Sequence, residues 1–383
     1  MTDNAVAYRR ALHAIPELGD DLPETLAFVE ERLKPLGAEL IRPVKGAVCA
    51  YFDAGAKETL ALRADMDALP VAEATGLPFA SRHAGCMHAC GHDGHTAIML
   101  ASAESAAAAL RAGEKFPRNL LFVFQPAEET TGGAKSICEL GIFEKYGVTR
   151  IFGLHLWPKV PLGRIASRPG PLMARSNEVT LEARGKSVHV SKASEGIDAL
   201  RAAAEWMRRA YAYAEGLPPE VLRTLQFGHM TAGTVRNAVA GEARVEGTLR
   251  TYDEKAAEMI RARLKEIAAE VAAETRCRMA VTYSEGYPAV WNDERLFADV
   301  TAALGGGAVL PLEKPVLAAE DFSFYQRRVP GVFFFLGVGD TSELHSPRFA
   351  WNDEAVLPSG RAFRREADAA ALKRPRRRAP RLR

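Results

Sequence analysis

Several side chains of this sequence that could bind a metal ion follow short apolar segments. ETLALRADMD and RNLLFVFQPAEE are apolar runs that end in acidic residues, and RIFGLHLWP contains a histidine. The segment CGHDGH directly precedes an Ala-rich stretch, and a further histidine follows GVFFFLGVGD. Burying this much polar and charged material requires a metal ion or a charge partner to offset its desolvation. The residues concerned are Asp65, Asp67, Cys90, His92, Glu128, Glu129, His155 and His345.

The mixture of thiolate, imidazole and carboxylate groups indicates which metals would bind. Zn²⁺, Mn²⁺, Ni²⁺ or Co²⁺ suits such a set, whereas Ca²⁺ and Mg²⁺ prefer oxygen ligands alone. In the adjacent pair Glu128-Glu129, one carboxylate could bind the metal while the other acts as a general base. The alternative interpretation is an acidic pair at the start of a following helix, assisted by Thr130.

The elements that must position these residues alternate along the first half of the chain. Helical spacing of apolar residues in VAYRRALHAIPEL, TLAFVEERLKPLG and HTAIMLASAESAAAALRAG separates short, almost continuously apolar strands. This alternation predicts an α/β fold around a central parallel or mixed sheet covered on both faces. In such sheets ligands bind outside the carboxyl ends of the strands, where the polar residues are expected.

The middle of the chain follows a different pattern. From about Asn177 the order is strand, helix, two strands, helix and strand, with apolar residues alternating in the strands. The order βαββαβ predicts a ferredoxin-like domain inserted over residues 175–288. The larger, catalytic domain would then comprise residues 1–174 and 289–360.

Length, composition and cysteine content indicate the number of domains and the cellular location. A chain of 383 residues predicts about two domains. It has neither an apolar N-terminal core nor a run of about 18 apolar residues, so we expect no secretory signal and no membrane span. Five scattered cysteines indicate reduced thiols, and CMHAC lacks the C-x-x-C spacing of a structural zinc site. We therefore expect a cytoplasmic protein.

The C-terminal segment, residues 361–383, is strongly basic. It carries ten Arg or Lys and two acidic residues, although the whole chain has a net charge of only +2. The rest of the chain is therefore net acidic, which argues against a nucleic-acid-binding protein. A solvated or disordered tail is the favoured interpretation, and an arm that binds nucleic acid is the alternative.

Six motifs, in order, resemble those of the M20 metallopeptidase family. They are RADMDALP, MHACGHDGHTA, QPAEE, GLH, AEDFSFY and LHSP, and the resemblance extends to about residue 360. It is closest to the aminoacylase-like branch of hippurate hydrolases, N-acyl-amino-acid amidohydrolases and auxin-conjugate hydrolases. The resemblance implies a catalytic domain that binds two divalent metal ions, interrupted by a ferredoxin-like lid that mediates dimerisation.

The same resemblance assigns roles to individual residues of the catalytic domain. Cys90 stands where other branches use a bridging aspartate, and Asp65 stands where they have a ligand histidine. With Asp67, Asp65 is therefore expected to orient a ligand rather than to bind the metal. The implied metal ligands are Cys90, His92, Glu129, His155 and His345, and the implied general base is Glu128.

Three residues of the lid resemble substrate contacts of the family. Asn237 in GTVRN and Arg250 in EGTLRTYD correspond to segments that contact the substrate carboxylate, for which a guanidinium is well shaped. Without the resemblance, Arg250 could equally be a surface charge on a strand. His189 matches a histidine that reaches the partner subunit's active site, but the Pro-His pair that usually follows it is replaced here. We expect that replacement to affect which acyl group the site accepts rather than the reaction itself.

These observations predict a metal-dependent amidohydrolase acting on small N-acyl amino acids, of N-acetyl or N-benzoyl type. The expected cofactors are two Mn²⁺ or Zn²⁺ ions, with Ni²⁺ or Co²⁺ as alternatives, and the expected assembly is a homodimer. A dipeptidase or aminopeptidase on the same scaffold is the nearest alternative function. A non-catalytic metal-binding interaction protein is an alternative of a different class.

Overall fold

The computed structural model describes residues 4–305 and 307–360. The strands, in chain order, are β1 Glu39–Ile41, β2 Val48–Phe52, β3 Thr59–Asp65, β4 Asn119–Gln125, β5 Val148–Pro158, β6 Ile165–Ser167, β7 Gly170–Met173, β8 Arg175–Arg184, β9 Arg223–Ala232, β10 Glu242–Thr251, β11 Arg278–Tyr283, β12 Val290–Asn292, β13 Val309–Pro311 and β14 Gly331–Gly339. The α-helices include α1 Asn4–His13, α2 Pro23–Leu33, α3 His92–Arg111, α4 Gly133–Glu139, α5 Ile142–Lys145, α6 Ala199–Gly216, α7 Glu254–Thr275, α8 Glu294–Leu304 and α9 Ser323–Gln326. Within the described residues, no helix is long and apolar enough to cross a membrane.

The described residues form two compact units. Unit 1 comprises residues 4–172, 291–305, 307–315 and 321–360, and unit 2 comprises 173–290 and 316–320. Residues 316–320 lie in the stretch that we expected to belong to the catalytic domain. Within unit 2 they contact its first residues, since the amide of Ala174 donates to the carbonyl of Ala318 at 2.8 Å. The basic tail lies outside the described residues.

Unit 1 is built on an eight-stranded mixed sheet with the order β1-β2-β4-β3-β5-β14-β6-β13. Its four central strands, β4, β3, β5 and β14, are mutually parallel. Strands β3 and β4 are buried along their whole length, as strands covered on both faces should be. The outer strands β1, β2 and β6 pair antiparallel, so the predicted α/β fold with a mixed or parallel sheet is confirmed.

The parallel centre of the sheet brings the predicted site residues to one edge. Strand β3 ends at Asp65, β4 ends at Gln125 just before the acidic pair, and His155 lies near the end of β5. Because parallel strands end on the same side of a sheet, residues far apart in sequence meet there.

Two glycines let the start of α3 lie against β5 at this edge. Gly91 precedes the helix with a φ of +92°, a left-handed conformation that few residues other than glycine adopt. At Gly94, a Cβ atom would come within 2.7 Å of Leu156 Cδ1 and 2.8 Å of Trp351 Cζ2. Larger residues at these two positions would push His92 away from the strand ends.

Unit 2 has a four-stranded antiparallel sheet with the order β11-β8-β10-β9. Helix α6 follows β8 and α7 follows β10, so the predicted chain order βαββαβ is confirmed. The two helices cover one face of the sheet, where Trp206 is fully buried and its Nε1–H donates to the carbonyl of Leu264 at 3.0 Å. Unit 2 thus has a hydrophobic core of its own.

A buried arginine ties α1 to the rest of unit 1. Arg9 is 1% exposed, and its guanidinium lies 2.8 Å from Asp93 and 3.4 Å from Asp353. The guanidinium also packs over the rings of Phe79 and Trp351. Removing one member of a buried ion pair leaves its partners uncompensated, which is more costly than losing an exposed pair.

We therefore expect Arg9→Met to lower the free energy of unfolding by about 3 kcal/mol or more. Urea unfolding followed by circular dichroism measures this change. Arg208→Met is the matched control, because Arg208 pairs with Glu205 on the exposed surface of α6 and should leave the unfolding midpoint unchanged. Equal effects of the two substitutions would contradict the role given to Arg9.

Candidate metal centre

Hydrogen bonds fix which ring nitrogen His92 presents to the centre of the site. Its Nδ1 lies 2.8 Å from the carbonyl oxygen of Asp67, which can only accept, so Nδ1 carries a proton. Its Nε2 is buried and has no hydrogen-bond partner among the described residues. In the neutral ring this Nε2 therefore offers its lone pair to a metal ion.

His155 is arranged in the same way on β5. Its Nδ1 donates to the carbonyl of Leu156 at 2.6 Å, so in the neutral ring Nε2 carries the lone pair that can bind a metal ion. This Nε2 lies 3.3 Å from the Sγ of Cys90. The thiol and the two imidazoles of Cys90, His92 and His155 have donor atoms within 4.8 Å of one another, all on buried residues.

Glu129 and His345 complete a second group of donors. Glu129 Oε1 is buried and accepts no hydrogen bond from the described part of the chain, although His345 Nε2 lies 3.3 Å from it. His345 has a φ of +66°, which is rare for a histidine, and its amide donates to the carbonyl of Ala89 at 2.8 Å. This bond holds the histidine loop beside the Cys90 segment.

The two groups of donors have Cys90 in common. One group is Cys90, His92 and His155, and the other is Cys90, Glu129 and His345. Three protein ligands are the usual number for a catalytic metal that keeps a position open for water or substrate. The buried atoms of His92 and Glu129 that have no hydrogen-bond partner among the described residues could each bind a cation. The residues present therefore fit two divalent ions, held by donor groups that have Cys90 in common.

The negative charge at the site raises the pKa values of Cys90 and His92. Burial raises the pKa of the Cys90 thiol well above its ordinary value, and the carboxylates of Glu129 and Glu128 raise it further. Burial favours the neutral ring of His92, but Asp65 and Asp67 outweigh this effect and raise its pKa to about 10. Without a metal the Cys90 thiol and the His92 ring thus hold protons that a bound ion would have to displace.

Asp67 orients the acidic pair. Its carboxylate accepts the backbone N–H groups of Glu128 and Glu129, both at 3.0 Å. Helix α4 begins only at Gly133, so the pair does not lie in its first turn. The interpretation as acids at a helix start is therefore wrong. An oxygen of Glu128 lies within 4.8 Å of both a His92 nitrogen and a Glu129 oxygen.

Asp65 is engaged by two groups that the sequence analysis did not assign to the site. Its Oδ2 lies 2.7 Å from Arg63 Nη1, and its Oδ1 accepts from His95 Nδ1 at 2.6 Å. The other nitrogen of His95 accepts from the amide of Leu156 at 2.8 Å. With both ring nitrogens occupied, His95 is not available as a ligand, although it lies close to His92 and Asp65.

The three remaining predicted residues lie in unit 2. His189 and Asn237 are exposed neighbours there, since the carbonyl of Asn237 accepts from the amide of Val190 at 2.9 Å. The amide of Ser191 donates to His189 Nδ1 at 3.2 Å. Arg250 is half-buried on β10 and donates to the hydroxyl of Thr248.

Comparison with known proteins places the chain in a family. Residues 61–366 match peptidase family M20/M25/M40. The chain is 35% identical over 366 residues to an N-acetyldiaminopimelate deacetylase from Shouchella clausii, which covers 92% of this chain and 95% of that protein. It is 33% identical to an N-acetyl-L-cysteine deacetylase from Bacillus subtilis, over 92% of this chain and 84% of that protein.

A solved structure shares both fold and sequence with the chain. The YXEP protein of Bacillus subtilis, described as a dinuclear metal binding peptidase from the M20 family, superposes with a TM-score of 0.84. The two chains are 30% identical over 96% of this chain and 97% of the other. This chain therefore belongs to the M20/M25/M40 peptidase family. It is a metal-dependent amidohydrolase, and the donor groups described above support two divalent ions.

The sharing of Cys90 between the two donor groups predicts different effects of two ligand substitutions. Cys90→Ala should weaken the binding of both ions by more than about 100-fold, because loss of an outer contact alone costs ~10–100-fold. His345→Ala should weaken the binding of only one ion. Metal content and chelator competition measure both. The shared thiolate is refuted if Cys90→Ala retains one ion at wild-type affinity.

Proposed function

We propose that the chain hydrolyses the amide bond of N-acyl amino acids and releases a carboxylic acid and a free amino acid. The observation that carries this proposal is the placement of Glu128, a carboxylate held beside the donor groups by Asp67. The relatives named as deacetylases of N-acetyldiaminopimelate and N-acetyl-L-cysteine support the same reaction class.

Five residues would hold the two ions: Cys90, His92, Glu129, His155 and His345. When bound, the ions polarise the amide carbonyl and lower the pKa of water, which makes a nucleophile available at neutral pH. Zn²⁺ or Mn²⁺ suits these ligands best, with Ni²⁺ or Co²⁺ as alternatives.

Glu128 moves the proton in this proposal. Its carboxylate takes a proton from the attacking water and then donates it to the nitrogen of the leaving amine. The role requires a carboxylate that does not bind a metal itself. The bonds from the two backbone amides to Asp67 fix the turn so that Glu128 and Glu129 can divide these tasks.

His189 would stabilise the charge that develops on the carbonyl oxygen. Since the amide of Ser191 can only donate, Nδ1 of His189 accepts, and the neutral ring carries its proton on Nε2. An exposed Nε2–H is the donor that a developing oxyanion requires. Asn237 and Arg250 would bind the free carboxylate of the substrate and so position the amide.

A small acyl group, acetyl in the first instance, fits the names of the relatives, and N-benzoyl substrates are the alternative. A dipeptide is also an amide with a nearby carboxylate, so dipeptidase or aminopeptidase activity is the second candidate. The Bacillus subtilis protein of similar structure is described as a peptidase, which supports peptidase activity as the second candidate. A non-catalytic interaction protein is no longer a candidate, because the chain is an amidohydrolase.

We also propose a homodimer and a cytoplasmic location. Strand β9 is at the edge of the sheet of unit 2 and pairs with β10 on one side, so its other side can accept a strand from a second copy. All five cysteines are free thiols, as expected for a reducing compartment.

The role of Glu128 predicts that Glu128→Gln loses activity but not metal. Turnover of N-acetyl amino acids should fall by about 10²–10⁴-fold, since the amide cannot accept the proton. Metal analysis should still find two ions per chain. Glu139→Gln, at an exposed position at the end of α4, is the control that should keep full turnover. Wild-type turnover in Glu128→Gln would disprove the assignment.

The role of Arg250 predicts a change in substrate binding that depends on the carboxylate. Losing a charged hydrogen bond worth about 2 kcal/mol should raise KM for an N-acetyl amino acid roughly 30-fold in Arg250→Ala. The matching N-acetyl amine, which lacks the carboxylate, should be unaffected. Arg244→Ala is the control on the same strand, where Arg244 pairs with Glu182. Equal KM changes for both substrates would argue for a structural role.

A further inference from the structure

A buried arginine lies behind the metal centre and is shared by two carboxylates. Arg63 is 1% exposed. Its Nη1 lies 2.7 Å from Asp65 Oδ2, its Nη2 lies 2.7 Å from Asp321 Oδ1, and its Nε donates to Gln125 Oε1 at 2.9 Å. All three edges of the guanidinium are therefore occupied by groups at the strand ends.

Asp321 is fixed on its far side as well. Its carboxylate accepts from Gln125 Nε2 at 2.7 Å and from the amide of Ala134 at 3.0 Å. Tyr325 in turn donates to Gln125 Oε1 at 3.0 Å. Asp321 is fully buried, so its position is determined by β4, α4 and α9.

A continuous chain of hydrogen bonds leads from Arg63 to His155, a proposed metal ligand. Asp65 accepts from His95, and His95 accepts from the amide of Leu156. The carbonyl of the same Leu156 accepts from Nδ1 of His155. A second branch leads from Asp65 Oδ2 to His92 Nε2, 3.7 Å away.

We propose that Asp321 is a positioning residue for the metal centre. Because Arg63 is shared between two carboxylates, the three groups together carry a net negative charge next to His92, which favours a bound cation. Asp321 also fixes Arg63, and through Asp65 and His95 it sets the orientation of His155. The inference rests on the dinuclear centre of the proposed function and assigns a role to a residue outside the ligand set.

The substitution Asp321→Asn tests this proposal, since it removes the charge and keeps the shape. Arg63 would then neutralise Asp65 alone, and the surroundings of His92 would become more positive. Titration of the metal-free protein with Zn²⁺ alone, in competition with a chelator, should show about 10–100-fold weaker binding. The loss should fall mainly on the ion held by His92 and His155.

Asp353→Asn is the matched control. Asp353 is also a buried carboxylate bound to arginine, with Arg10 Nε 2.9 Å away, but it belongs to the Arg9 cluster. It should lower the melting temperature and leave both zinc affinities unchanged. Arg63→Lys keeps the charge but not the three-sided geometry, and it should also weaken zinc binding. Arg63→Lys provides the test if Asp321→Asn does not fold.

The outcomes separate this proposal from the proposed function. If Asp321→Asn or Arg63→Lys folds and binds both ions with wild-type affinity, the network is only structural and the proposal is wrong. If the wild-type protein itself fails to bind two Zn²⁺ ions, the dinuclear centre is wrong, whatever the variants do. Weaker zinc binding in Asp321→Asn but not in Asp353→Asn is the expected result.

Discussion

The structure of unit 1 depends on how negative charge is accommodated at one edge of its sheet. The carboxylates of unit 1 that collect there include those of Asp65, Asp67, Glu128, Glu129 and Asp321. Burying a carboxylate without a partner is strongly unfavourable, and Arg63 is the guanidinium inserted directly between two of them. Asp67 is compensated by backbone amides, whereas Glu129 keeps an oxygen without a hydrogen-bond partner in the described structure. A bound divalent ion would supply further positive charge at this edge.

The same edge contains both the groups that we propose to bind metal and the groups that we propose to position them. His92 and His95 lie three residues apart at the start of α3 and face the same strand ends. The difference between them is set by their partners, because His92 has a free Nε2 and His95 has none. Glu128 and Glu129 both donate their backbone amides to Asp67, and they differ because Glu129, not Glu128, forms a donor group with Cys90 and His345. Small backbone constraints thus convert repeated residue types into distinct proposed roles.

Much of this arrangement could be predicted from the sequence. Apolar strands ending in acids predicted the ligand edge, because parallel strands must end together, and alternation of apolar residues predicted the order βαββαβ. The distinction between His92 and His95 could not be predicted, since both occur in CGHDGH and only three-dimensional hydrogen bonds separate them. Arg63 was missed because one charge inside an apolar strand gives no indication of its partner. Asp321 lay in a recognised motif, but its contacts come from residues distant in sequence.

His345 shows a further limit of prediction from sequence. It lies on a loop with a φ of +66°, and its backbone amide donates a hydrogen bond to the carbonyl of Ala89. Neither feature can be read from residue spacing, so only the resemblance to the family suggested a role. The histidine is half-exposed, in contrast to His92 and His155, and it is the proposed ligand for which burial gives least support.

We propose that two metal ions would share the thiolate of Cys90, which belongs to both donor groups. Anomalous diffraction from crystals grown with Zn²⁺, recorded at the zinc edge, tests it most directly. We expect two peaks about 3.5–4 Å apart, each at roughly 2.3 Å from Cys90 Sγ. A single peak, or two peaks of which only one lies within bonding distance of that sulfur, would contradict it.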